Sequence, residues 1–338
     1  MKPPLVKHQK EIRQYQVEVE EKKLNNQLKL ITSAYHHVEG SIIVSTKRGD
    51  NTDNDIRVQT YNIWNWDGNW DVRKLIIAQI VKENNPDIIG WQEIRVRDDI
   101  KNEIIQLAEL IPGYQYMFVR SMRFPPPSVK HESEGLGLFI RNGIKIHSQD
   151  VLRMTHNNCP DQNTRSAVSL TLSINDGVPF KFVDTHWSYD PTCQLSNALE
   201  IWKFTKKSRY PLVLLGDLNI FPNNPGPTDM LCGRTEESGE KGDYQDVWDV
   251  LHSGEPGITF PSGAKPESPE TRCDRIMYRH GGGKNFFTPI EARVVGVEPW
   301  YNETAPTRTK PDGPGTWQAY YSSDHHSVVA RFNLTRTG

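Results

Sequence analysis

From Asp55 onward the sequence repeats one local pattern, a short apolar run that ends on a side chain able to do chemistry. Val58-Gln-Thr-Tyr leads into Asn62, Ile88-Ile-Gly-Trp is followed closely by Glu93, Val183 by His186, and Leu214-Leu-Gly by Asp217 and Asn219. Runs of this length, β-branched or aromatic and bounded by turn residues, read as buried strands. Side chains at strand ends along one sheet edge converge on a common site. The pattern therefore constrains fold and function together.

The spacing predicts strands over Ile56 to Ile63, Asp87 to Trp91, Tyr114 to Val119, Gly135 to Ile140, Ala167 to Ile174, Phe180 to Val183 and Leu212 to Leu215. Three more follow at Arg275 to Tyr278, Ala292 to Val297 and Ser327 to Phe332. Amphipathic spacing predicts helices over Val72 to Glu83, Asp98 to Leu110 and Gln194 to Lys207. Asn175-Asp-Gly is a hairpin turn, and residues 298 to 323, rich in Pro, Gly and aromatics, read as one long loop. Mixed αβ units with hairpins suggest two packed sheets. Residues 1–50 differ: Lys, Glu and Gln dominate, while Ile12, Tyr15, Val19, then Leu24, Leu28 and Ile31 fall at helical spacing. They read as a polar, partly helical extension, which leaves 51–338 as the α/β domain.

Composition narrows the partners. Forty Lys and Arg against 42 Asp and Glu leave a formal charge of -2, so no global field holds nucleic acid or an anionic membrane and any anion must be bound locally. No apolar run approaches the length of a transmembrane span. The first residues lack the uninterrupted apolar stretch of a signal peptide, whereas Asn302-Glu-Thr and Asn333-Leu-Thr match glycosylation acceptors. Secreted or lumenal and cytoplasmic locations stay equally open. The four cysteines show no C-x-x-C spacing and allow three connectivities; we take Cys159 with Cys193 and Cys232 with Cys273 as the working hypothesis.

Each strand-end residue alone has an ordinary explanation. Gly216-Asp-Leu-Asn makes a good turn, Glu93 could pair with Arg95 or Arg97, and His186 could be a satisfied, partly buried imidazole. Five such residues gathered at strand ends are hard to obtain from packing alone. Glu93 and Asp324, with amide oxygens of Asn62 or Asn219, are hard ligands suited to Mg²⁺, Mn²⁺ or Ca²⁺. His325 beside Asp324 could move a proton, with a carboxylate such as Asp274 holding its tautomer. His186 supplies a second imidazole, and Arg165 with Asn219 could hold charge on a phosphorus under attack. The chemistry these groups suit is phosphoester hydrolysis.

Gln59-Thr-Tyr-Asn62, Trp91-Gln-Glu93, Asp184-Thr-His186, Gly216-Asp217-Leu-Asn219 and Ser323-Asp324-His325, in that order, resemble the endonuclease/exonuclease/phosphatase superfamily, which includes DNase I and the neutral sphingomyelinases. The resemblance covers about residues 55–333. It implies a DNase I-like four-layered α/β sandwich, two mixed β-sheets packed face to face with helices outside, and a divalent-metal phosphoesterase site at one edge. By the same resemblance Glu93 is the principal metal ligand with Asn62 nearby, Asp217 orients or deprotonates water, Asn219 contacts phosphate, and Asp324 assists the metal or the neighbouring histidine. His325 with Asp274 looks like one catalytic histidine and His186, paired with Glu134, like the second. Arg165 matches a phosphate-contacting arginine.

Loop residues bear on the substrate. Trp64, Trp66, Trp70, Trp187, Trp300, Tyr301, Trp317, Tyr320 and Tyr321 crowd the loops around the expected site. They could be platforms for bases, an interfacial wedge at Trp300-Tyr301 giving peripheral membrane contact, or loop packing. Arg120 and Arg123 precede Glu134 and could touch a phosphate-bearing substrate. The favoured reading is a nuclease-like phosphodiesterase acting on nucleic acid. Its alternatives are a sphingomyelinase-type enzyme, a phosphatase on a small phosphoester and, against the intact residue set, a dead binding module.

Overall fold

A computed structural model describes residues 55–97, 102–123, 132–155, 159–175, 177–281, 285–302 and 318–336. The extension read over residues 1–50 lies outside the described residues. Two six-stranded mixed sheets carry the domain. The first runs in the order β11(Asn285–Val295), β14(Ser327–Arg336), β1(Asp55–Asn62), β2(Ile88–Val96), β4(Ser133–Arg141), β3(Tyr114–Arg123). The second runs β5(Ile144–Arg153), β6(Ser166–Ile174), β7(Phe180–His186), β8(Leu212–Asp217), β10(Asp274–Arg279), β9(Gln245–Asp246). Helices α1(Trp70–Asn84) and α2(Glu103–Leu110) flank the first sheet, while α3(Pro191–Thr205), α4(Gly226–Leu231) and α5(Val247–Leu251) follow strands of the second.

Strand alternation builds the layers. Successive side chains of a strand point to opposite faces, so Val58, Ile88, Val213 and Leu215 enter the core between the sheets with Leu138, Leu170 and Phe182. Their neighbours face outward: Tyr61 and Ile89 meet Ile76, Ile80 and Leu107 of the first helical layer, and Leu212 and Leu214 meet Ala198 and Ile201 of the second. Each fully buried aliphatic or aromatic side chain contributes about 1.5 to 3 kcal/mol. At Gly90 the sheets come so close that a Cβ would lie 2.6 Å from Leu215 Cδ1 and 2.7 Å from Asp184 Cγ. The result is the expected four-layered DNase I-like sandwich.

Each sheet holds one parallel pair, β1 with β2 and β7 with β8, and every other pairing within the two sheets is antiparallel. A parallel pair needs a crossover, supplied by α1 and α3, and puts two carboxyl ends at one edge. Antiparallel neighbours begin at that same edge: Glu134 of β4 faces Arg95, Ser166 of β6 faces His186, and Asp274 of β10 faces Asp217. The edge thus collects the ends of four strands and the starts of their partners.

Three readings change. Strand β5 was not anticipated, because this outer strand is largely exposed and carries Lys145, His147, Ser148, Gln149 and Asp150 in place of an apolar alternation. Residues read as one loop contain a hairpin, β12(Trp300–Asn302) paired with β13(Gln318–Tyr320). Its aromatics are used in packing: Trp300 and Tyr320 lie against the outer core that includes Tyr61 and Ile89, so Trp300 is not a free wedge. The helix read from Asp98 begins at Glu103, and 98–101 lie outside the described residues.

Cys159 and Cys193 form a disulfide, whereas Cys232 and Cys273 are free, which corrects the second hypothesised pair. The Cys273 thiol instead lies 3.3 Å from Asp274 Oδ2 and 3.6 Å from His325 Nδ1. Replacing both Cys159 and Cys193 by serine is expected to lower unfolding free energy by about 3 to 4 kcal/mol, the loop-entropy value for a separation of 34 residues. An unmoved urea midpoint would show that the bond adds nothing to stability.

Candidate active site

Asn62, Glu93, His186 and Asp217 lie at or beside the carboxyl ends of β1, β2, β7 and β8. Glu93 sits where β2 and β4 slip register between Trp91 and Ile94, with φ of +60°. A left-handed glutamate inside a strand costs about 1 to 3 kcal/mol and belongs to a bulge that re-aims a side chain. Its carboxylate is met by two amides: Asn62 Nδ2 donates to Oε1 at 3.1 Å and Asn65 Nδ2 to Oε2 at 3.3 Å. Burial, then the charge of Asp324, raises the Glu93 pKa above the usual carboxylate range.

Asn62 also donates to Asp217 Oδ2 at 3.0 Å, while its Oδ1 accepts from the Trp64 amide at 3.0 Å. That acceptor role orients the amide. Asn62 therefore presents its nitrogen to both Glu93 and Asp217 and links the two carboxylates. Asp217 Oδ1 accepts from the Asn219 amide at 2.8 Å. Burial, then Asp274, raises the Asp217 pKa against the opposing pull of His325. Gly216 makes the turn possible, since a Cβ there would lie 1.9 Å from Thr185 O.

The two histidines are driven apart. His325 Nδ1 is 2.8 Å from Asp274 Oδ2, and its Nε2 is 3.9 Å from Asp217 Oδ2. Burial opposes its charge, but the Asp274 carboxylate works against burial and its pKa stands well above normal. Phe260 covers the ring with centroids 4.8 Å apart. His186 goes the other way: burial, then Arg165, then His325 push it well below its ordinary value. Arg165 Nη1 lies 3.0 Å from His186 Nδ1, which can accept from it, while Nε2 has Asn219 Nδ2 at 3.2 Å and the acceptor Asp217 Oδ2 at 3.5 Å. Their surroundings thus push the two imidazoles in opposite directions.

Glu134 does not reach His186 as expected. It pairs with Arg95 at 3.3 Å, because β4 sets it opposite Arg95, and burial followed by Glu93 pushes its pKa up to about 7. Buried Arg165, just before β6, keeps an Nε with no hydrogen-bond partner. Buried Asp324 has Ser323 Oγ at 3.3 Å from Oδ1 and Lys265 Nζ at 2.6 Å from Oδ2. Asp217, Cys273, Asp274 and His325 also offer ligand-type atoms within 4.8 Å of one another. Burial, then Asp274 and Asp217, raise the Cys273 thiol well above its ordinary pKa, and His325 Nδ1 is engaged by Asp274, so the four groups form a hydrogen-bonded cluster.

Sequence reasoning missed several contributors. Arg73 of α1 sends its guanidinium into the loop after β1, donating to Asn65 O at 3.0 Å, Asp67 O at 2.6 Å and Ser322 O at 2.9 Å. It ties the Asn62 loop to the Asp324 segment. Gln92 Nε2 donates to Asp184 Oδ1 at 2.7 Å, joining the two sheets behind the site. Asn65 was legible as a second asparagine three residues after Asn62. Lys265 had no signal, since 59 positions separate it from Asp324.

A two-sheet sandwich with acids, amides and opposed imidazoles at one edge defines a DNase I-like α/β protein. The chain belongs to the endonuclease/exonuclease/phosphatase family, whose model matches residues 60–325. Among solved structures it is similar to a family member from Bacteroides thetaiotaomicron (TM-score 0.63, 19% identity, 84% of this chain and 98% of that one). A mannosyl-6-phosphatase of the same organism aligns with TM-score 0.62 at 18% identity, over 83% of this chain and 99% of that one. The human nocturnin catalytic domain with bound sulfate aligns with TM-score 0.58 at 20% identity, over 83% of this chain and 94% of that one. No curated protein sequence matches the chain. These structural likenesses are likenesses of fold.

Proposed function

We propose that the chain is a divalent-metal-dependent phosphoester hydrolase, acting as a nuclease-type phosphodiesterase. The observation that carries this is the meeting of Glu93, Asp217 and two oppositely tuned histidines at one sheet edge. The donor chemistry fits a hard cation, Mg²⁺ or alternatively Mn²⁺ or Ca²⁺. Glu93 and Asp324 are close enough for one charge to raise the pKa of the other, a repulsion that a cation between them relieves. Glu93 and Asp324 would hold the ion, which when bound polarises a phosphoryl oxygen.

The remaining groups divide the work by charge. Asp217 orients the attacking water and takes its proton as the new P–O bond forms and the ester P–O bond breaks; the ester oxygen leaves with a proton from solvent, and Asp217 returns its own to solvent. His325, kept charged by Asp274, donates from Nε2 to the phosphoryl group. Neutral His186 is held in place by Asn219 and Arg165, and the unpartnered Arg165 Nε marks a guanidinium with capacity for an anion. Pairs of titratable groups pushed in opposite directions are how acid and base roles separate in one site.

One observation favours the small-phosphoester alternative. Trp70 and Trp187 are buried in the cores, and Trp66, Trp300 and Tyr320 pack against one of them, which takes those five rings out of use as platforms for bases. The test is product release from single- and double-stranded DNA, RNA, sphingomyelin vesicles, bis(p-nitrophenyl) phosphate and p-nitrophenyl phosphate, with Mg²⁺, Mn²⁺ or EDTA. EDTA-sensitive cleavage of nucleic acid is expected. Turnover of only the monoester, or only the lipid, moves the assignment to that substrate, and turnover unaffected by EDTA removes the metal.

A further inference from the structure

Lys265 is a cation of the cleft that the chemistry above does not use. Lys265 Nζ lies 2.6 Å from Asp324 Oδ2 and 4.9 Å from the centre of the Trp64 ring. Its position is set by backbone. The Ser262 amide donates to Asp324 O at 2.7 Å and the Lys265 amide to Ser262 O at 3.0 Å. Ser262 Oγ donates to Ser323 O at 2.5 Å and accepts from the Ala264 amide at 3.1 Å. The loop carrying the ammonium is thus stitched to the strand entry carrying the carboxylate, and the face of Trp64 gives the cation a second favourable contact.

Two-metal phosphoesterase sites place their ions about 3.5 to 4 Å apart, bridged or flanked by carboxylates. With one ion held by Glu93 and Asp324, a second would have to share the Asp324 carboxylate. Its Oδ2 already touches an ammonium, and a divalent ion on the same oxygen would face that charge at contact distance, a repulsion that is large in a buried cleft. We propose that Lys265 takes the place of a second divalent ion beside Asp324, so that the cleft holds a single metal ion. This rests on the metal-dependent reading above. Lys265 acts through Asp324 and is a positioning residue: it neutralises the carboxylate without adding a second Lewis acid.

Metal stoichiometry tests this independently of turnover. The full chain, stripped with EDTA and dialysed, is titrated with Mn²⁺ by calorimetry and followed by electron paramagnetic resonance. Wild type is expected to take about one equivalent and to give the resolved hyperfine spectrum of an isolated ion. Lys265→Met, at a half-exposed loop position, is expected to take about two equivalents, the second broadened by exchange with the first. Lys265→Arg, which keeps the charge, stays at about one. An exchange-coupled pair in wild type, or a folded Lys265→Met that remains at one ion, overturns the inference and leaves the hydrolase reading standing. A wild type that binds no Mn²⁺ overturns the metal-dependent reading itself, and the inference with it.

Discussion

Glu93→Gln is expected to lower kcat/KM by about a thousandfold or more, equivalent to about 4 kcal/mol of lost transition-state stabilisation. Several features make this the most damaging conservative change in the chain. The bulge that gives Glu93 its φ of +60° is built into the pairing of β2 with β4, so glutamine inherits the same aim. Asn62 and Asn65 are both donors, and a glutamine nitrogen turned toward either meets another donor. The change therefore removes the charge that would hold the cation and mismatches the local hydrogen bonds. Mn²⁺ affinity should fall in parallel, while the melting temperature changes little, because Glu93 is not part of the apolar cores. A Glu93→Gln protein with activity within tenfold of wild type would place the metal elsewhere.

Asp274→Asn carries the second large effect, and its signature is a shift in pH. In the native chain Asp274 raises the pKa of His325 and also that of Asp217. Activity as proposed needs Asp217 charged and His325 protonated, so the profile rises as Asp217 loses its proton and falls as His325 loses its own. Asparagine can still accept from Nδ1 but carries no charge. Both limbs should move to lower pH, and kcat/KM at alkaline pH should drop by about 10² or more. The stability linkage has the same sign. A histidine whose folded pKa is raised stabilises the fold below its unfolded pKa, about 6.5, and this contribution is lost as pH rises through the folded value. Asp274→Asn removes that contribution, so its stability deficit is greatest on the acid side. A pH profile that keeps its shape at reduced height would show that Asp274 acts only in packing.

The motif residues were legible because each ends a locally encoded element. Asn62, Glu93, His186 and Asp217 follow apolar runs whose period and bounding turns depend on nearest neighbours. The Asn175 hairpin and the pairing of His325 with Asp274 followed in the same way, one from turn chemistry and the other from the resemblance of motifs. Strand β5 escaped for the converse reason: an edge strand exposed to solvent needs no apolar alternation. The aromatics stayed open between stacking, a wedge and loop packing because composition names a side chain without naming its face; among the described residues Trp70 and Trp187 turn inward, and Trp66 and Trp300 pack against a core.

The sequence by itself determined the order of the elements, the two-sheet sandwich and the residue types delivered to one edge, since hydrophobic period and turn residues act over a few positions. Only the tertiary structure decided which of those groups touch. It gave Glu134 to Arg95 instead of His186, turned the Asn62 amide nitrogen toward Glu93, left Cys273 as a thiol beside His325, and set Lys265 on Asp324. Those outcomes depend on strand register and on loops that meet across 31 to 59 positions, and on burial and neighbouring charge that push two like imidazoles in opposite directions. Distance and dielectric are properties of the packed chain, and no local pattern carries them.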